Sequence, residues 1–288
     1  MQTIVLLHPG AMGASVGKAL TTVGHEVRWV GEGRSQASRD RATGAGLRQA
    51  ASLPAALEGA GVVLSVCPPA VAGDLATAVG RLRFEGIYVD ANAVSPETAR
   101  RIGDNVTSCG ATFVDGGIIG PPAASAGSTR LYLSGPQAGI VAALFAGSVI
   151  ETRLVDDRPG SASAVKVCFA AWTKGTAALL LAIRALAETE GVTENLLEEW
   201  ATSMPEMMDR SARAARSGLK AWRFAPEMEE IAAAFGAAGL PGGFHVAAAE
   251  IYRRAADLKD DDHPPTLLEV IERITAPEAT PTRLRNRD

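Results

Sequence analysis

The sequence predicts an α/β domain followed by an all-α domain, and three observations carry that expectation. Up to about residue 155, short runs of Val, Ile and Leu alternate with Ala-rich stretches of helical period, the pattern of strands joined by crossover helices. After Pro159-Gly160 the alternation stops, and residues 161–190 run without proline and with a single glycine, Gly175, as one long apolar helix. The 288 residues suffice for two cores at about 100 to 200 residues per domain.

Taken in order, the expected strands are 3–7, 26–30, 62–67, 87–90, 112–115, 129–134 and 151–154, the first four parallel. Segments 14–23, 35–43, 54–58, 70–82 and 96–105 are the crossovers between them. Beyond the long helix, further helices are expected at 196–203, 205–217, 226–238, 243–259 and 265–274. The domains are therefore 1–158 and 159–276, with a proline-rich, charged tail at 277–288.

Composition narrows the partners. Apolar residues make up 47% and charged ones 21%, with a net charge of only -4, which excludes a wholly disordered chain. Without clustered Lys and Arg there is no footprint for nucleic acid or an anionic membrane, so a small molecule is the expected partner. Cys67, Cys109 and Cys168 lie far apart without a CxxC pair, which fits a reduced, cytoplasmic protein and no disulfide framework. The start lacks a basic n-region, and the most apolar window, 176–183, stops at Arg184, short of the about 18 residues a membrane span needs. His8, His25, His245 and His263 are scattered and the Asp260-Asp261-Asp262 run is a solvated loop, so no metal site is expected.

Directly after the first strand stands His8-Pro9-Gly10-Ala11-Met12-Gly13. It is a GxGxxG turn whose first glycine is replaced. Such a turn brings a dinucleotide pyrophosphate against bare backbone and the N–H groups of a helix start. Gly10 and Gly13 supply the bare backbone, while His8 must turn the chain without glycine's freedom.

With Gly24-His25-Glu26-Val27, Val66-Cys67-Pro68, Val89-Asp90-Ala91-Asn92, Ser95-Pro96, Asp115-Gly116-Gly117, Gly120 and Gly160 before Lys166, the whole chain resembles the β-hydroxyacid dehydrogenase family, relatives of 6-phosphogluconate and 3-hydroxyisobutyrate dehydrogenases. Trp172-Thr173-Lys174-Gly175 and Glu227-Met228-Glu229-Glu230-Ile231 further resemble a subgroup whose C-terminal helical domain has no assigned function. The resemblance implies a Rossmann-type dinucleotide-binding domain, hydride transfer at a nicotinamide and a homodimer formed through the helical domain, for which the surface of 176–187 is suited.

The resemblance places coenzyme choice at Gly31-Glu32-Gly33-Arg34-Ser35. An acid at position 31 would hold a ribose 2′-OH, whereas Arg34 and Ser35, with Ser38 and Arg39 just beyond, suit a 2′-phosphate. NADP(H) is favoured over NAD(H), Glu32 pointing the other way. Cys67 and Pro68 are expected beside the nicotinamide ribose, and Asn92 near nicotinamide and substrate.

Lys166 stands where the family carries its catalytic lysine. A helix start and apolar Val165, Val167, Cys168 and Phe169 both disfavour its charged form, which suits proton exchange with a carbonyl oxygen. The bland reading is a lysine snorkelling from a buried helix. The asparagine that relatives carry one turn later is replaced by Phe169-Ala170. Thr173 and Lys174, two turns on, return to nearly the same face and either take its place or only pack.

Ile118-Ile119-Gly120-Pro121-Pro122 stands where acid-specific relatives often carry a Ser-Gly-Gly turn that grips the substrate carboxylate, so the resemblance implies that Ile119, Gly120, Pro121 and Phe169 meet a larger or less polar substrate. Trp222, Phe224, Met228 and Phe244 are either a pocket lining or core, and His245 a polar contact or a core histidine. The expected activity is NADP-dependent interconversion of a carbonyl and an alcohol, the alternatives being imine reduction and a catalytically silent NADP-binding regulator or scaffold.

Overall fold

The computed structural model describes residues 1–260 and 263–276; Asp261, Asp262 and the expected tail lie outside the described residues. Contacts group the chain into two compact units, Met1–Trp172 with Glu229–Gly243, and Thr173–Met228 with the described residues from Phe244 on.

The first unit holds eight strands: β1 (Thr3–Leu6), β2 (Glu26–Val30), β3 (Arg48–Ala50), β4 (Val62–Ser65), β5 (Ile87–Asp90), β6 (Thr112–Ile119), β7 (Thr129–Ser134) and β8 (Ile150–Leu154). They form one sheet in the order β3-β2-β1-β4-β5-β6-β7-β8, parallel except where β6 meets β7. Side chains alternate across it: Ile4 and Leu6 enter one core with Trp29, Leu64 and Val89, while Val5 and Leu7 enter the other with Val63 and Tyr88. Helices α1 (Ala11–Thr22), α2 (Gln36–Gly44) and α6 (Ala138–Leu144) cover the first face; α3 (Leu53–Leu57), α4 (Pro69–Arg81) and α5 (Pro96–Ser108) cover the second. Burial on both faces is what makes the central strands β1, β4 and β5 near-continuous apolar runs.

Several expectations needed correction. Helix α1 begins at Ala11 rather than residue 14, because Gly10 is its N-cap and accepts from the Ala14 amide at 2.8 Å. Strand β3 was not expected: Arg48 and Gln49 are exposed on the sheet edge, so no apolar alternation announces them. Nor was α6. Strand β6 continues four residues past Asp115 because Gly116–Ile119 leave β5 and pair with β7.

Helix α7 (Ser161–Thr189) belongs to both units, as does α10 (Ala221–Ala237), which was expected to start at Pro226 but carries that proline inside. Read at its full 29 residues, α7 has a window with mean hydropathy 1.3, long and apolar enough to cross a membrane by length and composition alone. That corrects the shorter window taken from the sequence; core helices meet the same criterion.

The second unit packs the rest of α7 with α8 (Thr193–Ser203), α9 (Glu206–Ala214), α11 (Gly243–Arg254) and α12 (Leu267–Thr275). Leu181, Met228, Tyr252 and Val270 are fully buried there, and Thr266 with Glu269 forms a capping box that starts α12.

Candidate active site

Strand order reverses between β1 and β4, and in open α/β sheets ligands bind outside the carboxyl ends of the strands at that reversal. The turn 8–13 leaves β1 there. Gly13 is indispensable to it: a Cβ at this position would stand 2.1 Å from the His8 carbonyl oxygen. His8 needs no left-handed backbone, since Arg83 is the one non-glycine residue with positive φ among the described residues. Gly10 has no side chain to cap α1, and no acid occupies the first turn, which leaves those N–H groups suited to a pyrophosphate. Pro9, Ala11 and Met12 complete the turn, Ser15 Oγ accepting from the Ala123 amide at 3.0 Å to tie α1 to the loop after β6.

The end of β2 is basic. Arg34 Nη1 donates to His8 Nδ1 at 2.7 Å and its Nη2 to the Leu7 carbonyl at 3.1 Å. Arg39 donates to the Gly31 carbonyl at 2.6 Å, and Arg41 to the Pro9 carbonyl at 3.4 Å and to Ser38 Oγ at 3.0 Å. A Cβ at position 31 would meet Gln49 Nε2 at 2.6 Å and Arg39 Nη1 at 2.9 Å, the tips of two flexible side chains that would have to move aside. Ser35 is the N-cap of α2, while Glu32 is exposed. Burial, then the Arg34 and Arg41 charges, push the His8 imidazole down to about 4, so it is neutral near pH 7.

Asn92 is buried, and its amide is engaged within the protein. Its Oδ1 accepts from the Cys67 amide at 2.6 Å, while Nδ2 donates to Ser65 Oγ at 3.0 Å and Asp90 Oδ2 at 2.8 Å. It thereby braces the carboxyl ends of β4 and β5 and fixes the Cys67-Pro68 turn. Burial raises the Asp90 carboxyl to about 7 against the opposing pull of Asn92, and pushes the Cys67 thiol up to about 12, which leaves it protonated and unreactive.

Lys166 lies in the second turn of α7, partly buried, its Nζ donating to the Ile118 carbonyl at 2.6 Å. Ile118 is three residues past Asp115, the last β6 residue paired with β5, so this ammonium lies beyond the carboxyl end of β5, the edge that also carries Asn92. The first turn of α7 is anchored by Asp115: Oδ1 accepts from Ser163 Oγ at 2.5 Å, and Oδ2 from the Ser163 amide at 2.9 Å and Ser134 Oγ at 3.0 Å. Burial raises the Asp115 carboxyl, and these donors oppose the shift. Nothing in the sequence singles out Ser163 or Ser134; Asp115 and Gly117 were visible only as a motif.

Of the remaining expected residues, Ile119 is buried in the sheet, Gly120 and Pro121 are exposed at the end of β6, Phe169 is 46% exposed and Cys168 is exposed beside it. Thr173 is exposed. Lys174 pairs with Glu227 and lies 4.5 Å from the centre of the Phe224 ring. Met228 is core, Trp222 and Phe244 are about half exposed, and His245 is buried, its imidazole pushed down by burial. Among the described residues no cluster of three or more His, Cys, Asp or Glu suits a metal.

Comparison with known proteins bears on the fold and on the nucleotide-binding domain. Residues 4–144 match the NAD binding domain of 6-phosphogluconate dehydrogenase, and residues 187–255 match a domain of unknown function, DUF1932. An uncharacterised 28.5 kDa protein of Methanothermus fervidus is 30% identical over 173 residues, 60% of this chain and 66% of its own length, just under two thirds. A conserved protein of unknown function, described as structurally similar to 3-hydroxyacid dehydrogenases, superposes with a TM-score of 0.65 at 27% identity over 90% of this chain and 99% of its own. The Mycobacterium tuberculosis 3-hydroxyisobutyrate dehydrogenase shares the fold, with TM-score 0.68 and 20% identity over 96% and 100% of the two chains. So does a Streptomyces aurantiacus imine reductase, with TM-score 0.53 and 22% identity over 94% and 99%. Residues 4–144 are thus similar to the NAD binding domain of 6-phosphogluconate dehydrogenase, and the fold is the one shared with 3-hydroxyisobutyrate dehydrogenase and imine reductase structures. The helical region beyond it carries the match to the domain of unknown function.

Proposed function

We propose that this protein interconverts a carbonyl and an alcohol with NADP as coenzyme and Lys166 as acid and base. The observation that carries the reading is the Lys166 ammonium held against Ile118 beyond the carboxyl end of β5, the sheet edge from which the glycine turn also leaves. The coenzyme, when bound, supplies or accepts the hydride. Residues 8–13 would hold its pyrophosphate, and Arg34, Ser35 and Arg39 would hold the 2′-phosphate, a reading supported by glycine at position 31, which has no carboxylate for a ribose 2′-OH. Lys166 Nζ gives a proton to the carbonyl oxygen in reduction and takes it back in oxidation. The exposed Leu179 and Leu186, seven residues apart on α7, support a homodimer, and the free Cys67, Cys109 and Cys168 support a cytoplasmic location. Light scattering at micromolar concentration that returns a monomer would remove the dimer.

Imine reduction is the second reading. It is favoured by the Ile119-Gly120-Pro121 run, which has no hydroxyl for a substrate carboxylate, and because an iminium already carries the charge a proton donor would provide. The experiment is turnover of ketone, 3-hydroxy acid and cyclic imine panels with NADPH by the full chain and by Lys166→Met. The carbonyl reading expects a fall in ketone turnover of about 10²- to 10⁴-fold. Full imine turnover by Lys166→Met supports the second reading, and tight NADPH binding without turnover on any panel supports a silent NADP-binding regulator.

A further inference from the structure

The residue that departs from the glycine turn has a partner. A guanidinium can only donate, so the 2.7 Å contact between Arg34 Nη1 and His8 Nδ1 requires the imidazole to accept there, with its proton on Nε2. The neutral ring described above has that lone pair available. Glycine at position 8 would offer no acceptor, and Arg34 would keep only the Leu7 carbonyl. Two further features point the same way. Arg34 Nε is buried and without a hydrogen-bond partner, a donor in want of an acceptor. Arg41 of α2 reaches the same turn through the Pro9 carbonyl, so two guanidiniums, one from the loop after β2 and one from α2, converge on that turn.

We infer that His8 is a positioning residue for coenzyme choice: its Nδ1 holds the Arg34 guanidinium against the glycine turn, where Arg34 receives the 2′-phosphate of NADP. The inference rests on the NADP reading above and adds to it the residue that places the arginine. His8 thus does what a glycine cannot, and the departure from GxGxxG becomes part of the selectivity.

The test is the ratio of NADPH to NADH affinity, read by coenzyme fluorescence on the full chain, for wild type, His8→Gly, His8→Leu, His8→Asn, Arg34→Ala and the double variant His8→Gly/Arg34→Ala. Losing one charge-assisted contact is expected to lower the ratio about tenfold in His8→Gly and in Arg34→Ala. The double variant falls no further than Arg34→Ala alone. His8→Leu, which keeps the bulk but not the acceptor, falls with His8→Gly, and His8→Asn, whose Oδ1 accepts from the same place, keeps the wild-type ratio. If His8→Gly and His8→Leu lower both affinities in step, or neither, while Arg34→Ala lowers the ratio, His8 only fills the loop and the inference is overturned with the NADP reading intact. If wild type prefers NADH, or Arg34→Ala leaves the ratio unchanged, the NADP reading falls and the inference with it.

Discussion

Lys174 and Glu227 form a buried ion pair inside the helical unit, their side chains 14% and 4% exposed. Arg223 also reaches Glu227, at 3.4 Å, and Tyr252 donates to the Lys174 carbonyl at 2.7 Å. The runs 172–175 and 227–231 therefore meet as a structural bond, which gives Lys174 packing and charge partners of its own. Removing one side of a buried pair leaves the other charge desolvated, and Glu227→Gln is expected to lower stability by roughly 3 to 5 kcal/mol. Lys174→Met/Glu227→Met should be less destabilised than either single change. Calorimetric unfolding checks both; single variants as stable as wild type would deny the pair its role.

Gly10 and Gly13 separate crowding at the turn by degree. A Cβ at Gly13 meets backbone at 2.1 Å, whereas at Gly10 it meets the His8 ring at 3.2 Å, and a ring can yield. Gly13→Ala is expected to abolish NADPH binding, and Gly10→Ala to weaken it by about tenfold or less. Fluorescence titration of the two variants decides, and equal losses would mean that the turn is not set by the Gly13–His8 approach.

The legible part of the fold was the part governed by repeating apolar pattern. Strands β1, β4 and β5 announce themselves because both faces are buried, β2 because Val27 and Trp29 alternate with Glu26 and Arg28, and α7 because nothing interrupts it. Edge strand β3 and the continuation of β6 depend on which neighbour they pair with, which periodicity does not encode. At the candidate site, the turn 8–13 and Lys166 were legible through spacing and family likeness. The contacts that place them, Arg34 on His8, Asp115 on Ser163 and Asp90 on Asn92, join residues of ordinary type from separate elements. Only the folded chain brings them within reach.

Asp90 gives the protein a pH dependence of stability with a definite sign. Its carboxyl titrates at about 7 in the folded chain against an ordinary 3.8, because burial disfavours its charge. The folded state keeps a proton that the unfolded chain releases between those values, so stability is fullest below about pH 4 and falls as pH rises to about 7, by at most roughly 4 kcal/mol for this group. Asp115, also raised by burial, acts in the same direction. Asp90→Asn cannot titrate and is expected to flatten that slope. Urea unfolding of both proteins between pH 4.5 and 8 measures it; parallel slopes would contradict the assignment.

Gly117 tests whether the seating of α7, and not only the identity of Lys166, governs turnover. This glycine has ordinary negative φ, so space is its sole reason. A Cβ there would stand 2.7 Å from the Ala162 carbonyl oxygen and 3.1 Å from Lys166 Cβ, pressing β6 against the first turns of α7. Gly117→Ala must therefore shift the helix start that carries the ammonium, while the glycine turn and the β2 end lie on other strands. A displacement of about 1 Å at a catalytic group is enough for losses near 10²-fold, so kcat is expected to fall by about one to two orders of magnitude. NADPH affinity should stay within about twofold, well under 1 kcal/mol. Stopped-flow turnover on whichever substrate the panels identify, beside an NADPH titration, separates the two quantities. Unchanged kcat would show that Lys166 tolerates displacement and does not exchange the proton.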